Sequence, residues 1–251
     1  MPRRAAMRKV VGTPRRAYTD GMRDFADVST WVFDLDHTLY PPSAALFALI
    51  EARMVDWIAV ELDVDRDHAD RLRHAYWRRY GTTLAGLMAE HGTDPHAFQH
   101  AVHDVTLDTL MPDPVLAAAL AALPGRRIVF TNGSEPYARR VLERCGIAGL
   151  FDAVYGVEHA RFTPKPNRAA FEAIVEEDRI DPAAAAMFED SPDNLRVPHE
   201  MGMRTVLVAP ARAHAPPVPH IHHATENLGD FLSQAVNRAG PRAPVGLPQR
   251  A

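Results

Sequence analysis

Apolar residues follow two regimes along the chain. From Trp31 they run almost unbroken, Trp-Val-Phe-Asp-Leu-Asp, and end in two acids at Asp34 and Asp36. That pattern predicts a buried parallel strand whose carboxyl end points at a site. Pro41-Pro42 breaks the chain. Beyond it Leu46, Ile50, Met54, Trp57 and Ile58 recur at spacings of three to four, one apolar stripe of a helix over 43–62. Further helices are predicted over 66–80, 82–91 and 95–109, with no strand candidate between them, and Pro112 and Pro114 close this stretch.

From there strands and helices alternate. Helix 114–122 precedes strand 127–130 and the turn Thr131-Asn-Gly-Ser134; helix 135–145 precedes strand 153–155; helix 167–178 precedes strand 186–190; helix 192–201 precedes strand 204–208. Residues 210–223, with four Pro and four His, read as loop, and a last helix covers 227–238. Such alternation predicts an α/β fold, a Rossmann-like parallel sheet covered on both faces. The all-helical stretch is then an insertion after the first strand. The organisation expected is a basic arm over 1–27, a core from 28–40 and 113–239, a helical insertion over 41–112 and a tail over 240–251.

Composition narrows the classes. The 251 residues can bury a core without a staple, and one cysteine, Cys145, excludes a disulfide framework or a multi-cysteine zinc site. No apolar run approaches the ~20 residues of a membrane helix, and the basic start lacks the apolar stretch of a secretory signal. A cytoplasmic protein is expected. Six cations and no acid occupy the first 16 residues, so the rest of the chain carries −10. An acidic body does not favour nucleic acid as a partner. The histidines at 214, 220, 222 and 223, at 68 and 74, and at 96, 100 and 103 read as surface, and Cys145 as a small buried apolar residue. Of 28 Lys and Arg, 26 are Arg; with 40 alanines this fits a GC-rich coding bias. Only Lys9 and Lys165 are lysines, which draws attention to the second.

In an open parallel sheet, ligands bind at the carboxyl ends of the strands. Here each predicted core strand ends in chemistry: Asp34 and Asp36; Thr131-Asn132-Gly133; Lys165 in Thr-Pro-Lys-Pro; and Glu189-Asp190. Two carboxylates two residues apart on a strand face the same side and repel, which suggests a shared cation. Glu189 and Asp190 add oxygen ligands, and an all-oxygen set with few members suits Mg²⁺. Lys165 is a compact charge for an anion, and Thr131 with nearby N–H groups can donate to phosphate oxygens.

Asp34-Leu-Asp36-His37-Thr38 resembles the DxDxT motif of the haloacid dehalogenase superfamily, and Thr131-Asn132-Gly133, Lys165 and Glu189-Asp190-Ser191 with Asn194 resemble its second, third and fourth motifs in order. The resemblance implies a core of that superfamily with a mobile helical cap, and it implies roles. Asp34 would be the nucleophile and Asp36 the general acid and base. Thr131, Asn132 and Lys165 would hold the phosphoryl group. Mg²⁺ would bind Asp34, Asp190 and the carbonyl of Asp36, with Glu189 at its water shell. Dehalogenases of the superfamily lack the second aspartate, so Asp36 favours a phosphatase.

The segments Trp31–Pro41, Tyr80-Gly-Thr-Thr-Leu-Ala-Gly-Leu87 and Phe130–Gly133 resemble the pyrimidine 5′-nucleotidase branch, which implies UMP- or CMP-like substrates read by Tyr80, Thr82 and Thr83 in the cap. His37 and Tyr137 depart from that branch, where Asn and His are expected. A phosphatase for a sugar phosphate or other small phosphorylated metabolite is the first alternative, and a non-catalytic Mg²⁺-binding interaction protein the second. Oligomeric state is left open.

Overall fold

A computed structural model of the protein describes residues 25–210 and 218–239. The central strand, β1 (Thr30–Phe33), is buried along its whole length. It pairs in parallel with β2 (Arg126–Phe130) on one side and β4 (Ala185–Glu189) on the other. With β3 (Ala153–Tyr155), β5 (Arg204–Val208) and β6 (His223–Thr225) they form a six-stranded sheet, all parallel, in the order β3-β2-β1-β4-β5-β6. The order reverses at β1, so the crevice between the carboxyl ends of β1, β2 and β4 is the natural ligand position.

Successive residues of β1 serve opposite faces. Trp31 and Phe33 join the larger apolar core, while Val32 joins a second core with Ile128, Phe171 and Ile174. Helices α5 (Pro114–Ala122) and α9 (Leu228–Ala239) pack on each other, and α6 (Glu135–Arg144) contributes Tyr137, Ala138, Val141 and Leu142 to the larger core. Helix α7 (Arg168–Glu177) and the short α8 (Arg196–Met201) cover the other face.

Between β1 and α5 lie four helices and no strand: α1 (Leu46–Glu61), α2 (Arg66–Tyr80), α3 (Thr83–His91) and α4 (Pro95–Val102). The starts of α2, α3 and α4 are written in side chains. Asp65 accepts from the N–H of His68, Thr82 from Ala85 and Asp94 from His96, each satisfying a donor that the first turn leaves unpaired. Gly81 ends α2 in the left-handed region (φ 86°), where a side chain would be strained. Gly86 lets α3 approach α2 so closely that a Cβ there would overlap the Cβ of Tyr76.

Four expectations are corrected. The first strand stops at Phe33, and Asp34 to Asp36 lie in the loop beyond it. Helix α4 ends at Val102 and not at 109; beyond it the chain runs irregularly, burying Val105, Leu107 and Leu110 while Arg140 and Arg144 hold its carbonyls. Residues His223–Thr225, at the end of the predicted loop, form the edge strand β6. Phe25, placed in the arm, is buried; it stacks on Trp31 at 5.9 Å and meets Phe231 edge-on. Residues 1–24 of the predicted arm, the tail over 240–251 and residues 211–217 of the Pro- and His-rich segment lie outside the described residues. Among the described residues no helix is long and apolar enough to cross a membrane.

Candidate active site

The carboxyl ends of β1, β2 and β4 converge on Lys165. Its ammonium donates to Asp34 Oδ1 at 2.6 Å, to Glu189 Oε2 at 2.8 Å and to the carbonyl of Phe130 at 2.9 Å. An ammonium has three donors, and all three are used. Lys165 is 2% exposed. Burial alone would push it toward the neutral amine; the adjacent Asp34 and Glu189 carboxylates outweigh that and hold it charged. Its loop is fixed by Asn132, whose Oδ1 accepts from the main-chain N–H of Lys165 and whose Nδ2 donates to its carbonyl. The following Lys165–Pro166 bond is cis.

Negative charge exceeds positive charge here. Burial pushes Asp34 up to about 6 against the pull of Lys165, with Asp190 and Asp36 adding to the rise. Burial also pushes Glu189 well up. Asp190 goes the other way: burial alone would raise it, but the neighbouring His37 and the charge of Lys165 hold it down. Carboxylate oxygens of Asp34, Glu189 and Asp190 lie within 4.8 Å of one another. An oxygen-only cluster with uncompensated negative charge fits a hard dication such as Mg²⁺.

Asp36 does not share that cluster, contrary to the expectation that both acids face one cation. Leu35 is buried between them, His37 turns the chain through the left-handed region (φ 63°), and Asp36 faces two tyrosines. Tyr40 and Tyr137 both donate to its Oδ1, at 2.6 and 2.7 Å. Burial pushes Asp36 upward and the two phenols oppose it. Any role for Asp36 toward a metal falls to its carbonyl.

Three further sets of candidate residues are already engaged within the protein. Lys165 has no N–H left over for a phosphoryl oxygen, so its influence on one is carried by its charge and through Asp34. Glu189 is engaged at both oxygens, since Ser191 N–H donates to Oε1 and Lys165 to Oε2. The cap residues hold the cap together: Tyr80 donates to Glu90, Thr82 caps α3 and Thr83 donates to the carbonyl of Arg73 at 3.4 Å. Their turn does approach the core, because a Cβ on Gly81 would lie 3.9 Å from Pro164 Cγ. Thr131 is buried at the end of β2, its Oγ1 accepting from Gly133 N–H at 2.9 Å.

Sequence reasoning missed the two tyrosines as site residues. Tyr40 carried a signal, a phenol four residues after Asp36, while Tyr137 reaches the site only because α6 starts beside it. Gly133 permits this approach: a Cβ there would sit 3.1 Å from Tyr137 Cδ1. His37, 3.5 Å from Asp190 through Nδ1, also meets Phe47 of α1 edge-on, so it links the acid cluster to the cap.

The chain is similar to several known proteins. The chain is 30% identical over 191 residues to Phosphate metabolism protein 8 of Saccharomyces cerevisiae, a match covering 70% of this chain and 60% of that protein. It thus spans about 60% of the length of that relative. CbbY from Rhodobacter sphaeroides, solved in complex with phosphate, superposes with a TM-score of 0.58 at 16% identity, over 81% of this chain and 96% of that one. The 2-haloacid dehalogenase from Pseudomonas syringae pv. Tomato superposes with 0.54 at 21% identity, over 84% and 99%. Both show the fold alone. Residues 28–202, which contain every acid, the lysine and both tyrosines described above, match the haloacid dehalogenase-like hydrolase family, and the chain belongs to it.

Proposed function

We propose that the protein is a Mg²⁺-dependent phosphomonoesterase that works through an aspartyl-phosphate and acts on pyrimidine nucleoside 5′-monophosphates. The fold is shared by dehalogenases and by phosphate-binding proteins, so the choice rests on one observation: Asp36, anchored by two phenols on a single oxygen. A departing halide needs no proton, whereas a departing alkoxide does, and a second oriented carboxyl supplies it.

In this reading the Asp34 carboxylate attacks phosphorus. The ester P–O bond breaks, its electron pair stays on the leaving oxygen, and Asp36 gives that oxygen a proton. Asp36 then takes a proton from the water that attacks the phosphoryl group; the bond to Asp34 breaks, restoring the carboxylate and freeing inorganic phosphate. Lys165 keeps Asp34 ionised and aimed. Thr131 and the main-chain N–H of Asn132 receive the phosphoryl oxygens. Asp34, Asp190 and the carbonyl of Asp36 would hold Mg²⁺, which when bound screens charge on the transferring group.

The test is phosphate release from UMP, CMP, AMP and glucose 6-phosphate, with Mg²⁺ and with EDTA. UMP or CMP is expected to be best, with release lost in EDTA and in Asp34→Asn and Asp36→Asn. A sugar phosphate as best substrate sinks the nucleotide assignment. Turnover surviving Asp34→Asn sinks the covalent route. A rise in thermal midpoint with Mg²⁺ that Asp190→Asn abolishes supplies a readout independent of turnover.

A further inference from the structure

A cleft of about 210 Å³ opens between α4 and the start of α6. Its floor is a stacked pair, His103 on Tyr137, with centroids 4.2 Å apart and planes 9° apart. Phe162, edge-on to His96, forms a wall. Gln99 of α4 lines it and is only 7% exposed, yet its side-chain amide makes no hydrogen bond with any described residue. The amide atoms are not sealed from solvent, so they face open space that a ligand or ordered water can fill.

The cleft adjoins the catalytic acid. Tyr137, its floor, is the residue that donates to Asp36. Ser134, which follows directly on the Thr131–Gly133 loop, lines it too. The cleft and Asp36 thus share Tyr137 as a common wall.

We propose that the cleft receives the organic part of the phosphomonoester and that the Gln99 amide reads its polar edge. This rests on the phosphomonoesterase reading above and moves specificity from the 80–83 turn to α4. The lining suits a small, flat group that carries hydrogen-bond donors: Asp104 and Glu158, whose Oε2 is buried without a partner, lie beside the rings. The floor is a pair of parallel rings, and an amide offers one donor edge and one acceptor, the complement of a pyrimidine edge. Burial holds the His103 imidazole neutral, with its Nδ1 at 3.1 Å from Ser134 Oγ. Arg140 on the rim already donates to the carbonyls of His103 and Val105, which does not favour a second phosphate. The volume lies below the range of pockets for drug-sized ligands.

Gln99→Met keeps the shape and removes the amide; Gln99→Glu keeps the acceptor and removes the donor. Both are assayed with UMP, CMP and acetyl phosphate, whose organic part is too short to reach α4, and both are titrated calorimetrically with uridine and cytidine. Expected in Gln99→Met is a rise in KM for the better nucleotide of at least tenfold, at least ten times the effect on acetyl phosphate, with nucleoside binding lost. Equal losses on all three substrates, or no loss, overturn the proposal. If the unaltered protein releases phosphate from none of them, the phosphomonoesterase reading fails, and the nucleosides then judge the cleft alone. Saturable heat abolished by Gln99→Met upholds it, and absence of heat overturns it.

Discussion

Lys165 is the cation on which the buried acids depend. Removing one partner of a buried ion pair leaves the other charge uncompensated, at a cost of about 3–5 kcal/mol. Lys165→Met is therefore expected to lower chemical-denaturation stability by that order as well as to abolish turnover. Lys165→Arg keeps the charge, but a forked guanidinium cannot direct single N–H groups at Asp34, Glu189 and the Phe130 carbonyl from a site 2% exposed. Most turnover is lost, and the denaturation midpoint falls by less than in Lys165→Met. The lysine was legible in the sequence because so few lysines occur there. Its three-way bonding was not, since two of the acceptors come from other strands. His103 carries a pH dependence. Its imidazole, lowered to about 3 by burial and then by Arg140, binds a proton in the unfolded chain near 6.5 but not in the fold. Between those values the unfolded state holds the extra proton, so stability is full above 6.5 and falls as pH drops, by up to ~1.4 kcal/mol per pH unit from this group. Comparing midpoints of the unaltered protein and His103→Gln from pH 7.5 to 4.5 isolates it: the curve of the variant is flatter. Equal slopes would show that His103 is charged in the fold.

The contact between α2 and α3 depends on one absent methyl group. Gly86→Ala places a Cβ against Tyr76, and overpacking of this kind costs about 1–3 kcal/mol. Because the clash is confined to the insertion, hydrogen exchange should quicken in α2 and α3 while β1, β2 and β4 keep their protection. Elements of this sort were the most legible part of the fold. Capping residues, prolines and apolar stripes marked α1, α2, α3, α5 and α7 to within a few residues. Two failures share a cause. The path from His103 to Asp113 is held by side chains remote in sequence, with Arg140 and Arg144 donating to its carbonyls. The three residues of β6 gain strand geometry only by lying against β5. Neither cause leaves a periodic trace in the local sequence.

Across the whole molecule, one aromatic cluster joins the beginning of the described chain to its end. Phe25 touches Trp31 of β1, Phe188 of β4 and Phe231 of α9. Phe25→Ala opens a cavity among large rings and is expected to cost about 3–5 kcal/mol, measured by urea unfolding. Deleting residues 1–20, which leaves this ring in place, is expected to change that stability little; a comparable loss would show that the earlier residues support the fold. The parallel sheet and its insertion were legible from strand–helix alternation alone. The separation of the Asp34 and Asp36 side chains was not, because it turns on the direction of a loop and on a phenol from α6.

The arginines of α6 bear on how such a molecule can change over time. Arg140 and Arg144 grip the returning segment through the carbonyls of residues 103, 105 and 108, and every amino acid carries a carbonyl. The clasp itself reads the main chain, while Val105, Leu107 and Leu110 of the same segment are buried and must stay apolar. A foreign helical module spliced between β1 and α5 would engage the same two guanidinium groups if its main chain passed the same points. The joint between the insertion and the α/β core thus fixes a main-chain path and a few apolar positions, and leaves the exposed residues between them free to vary.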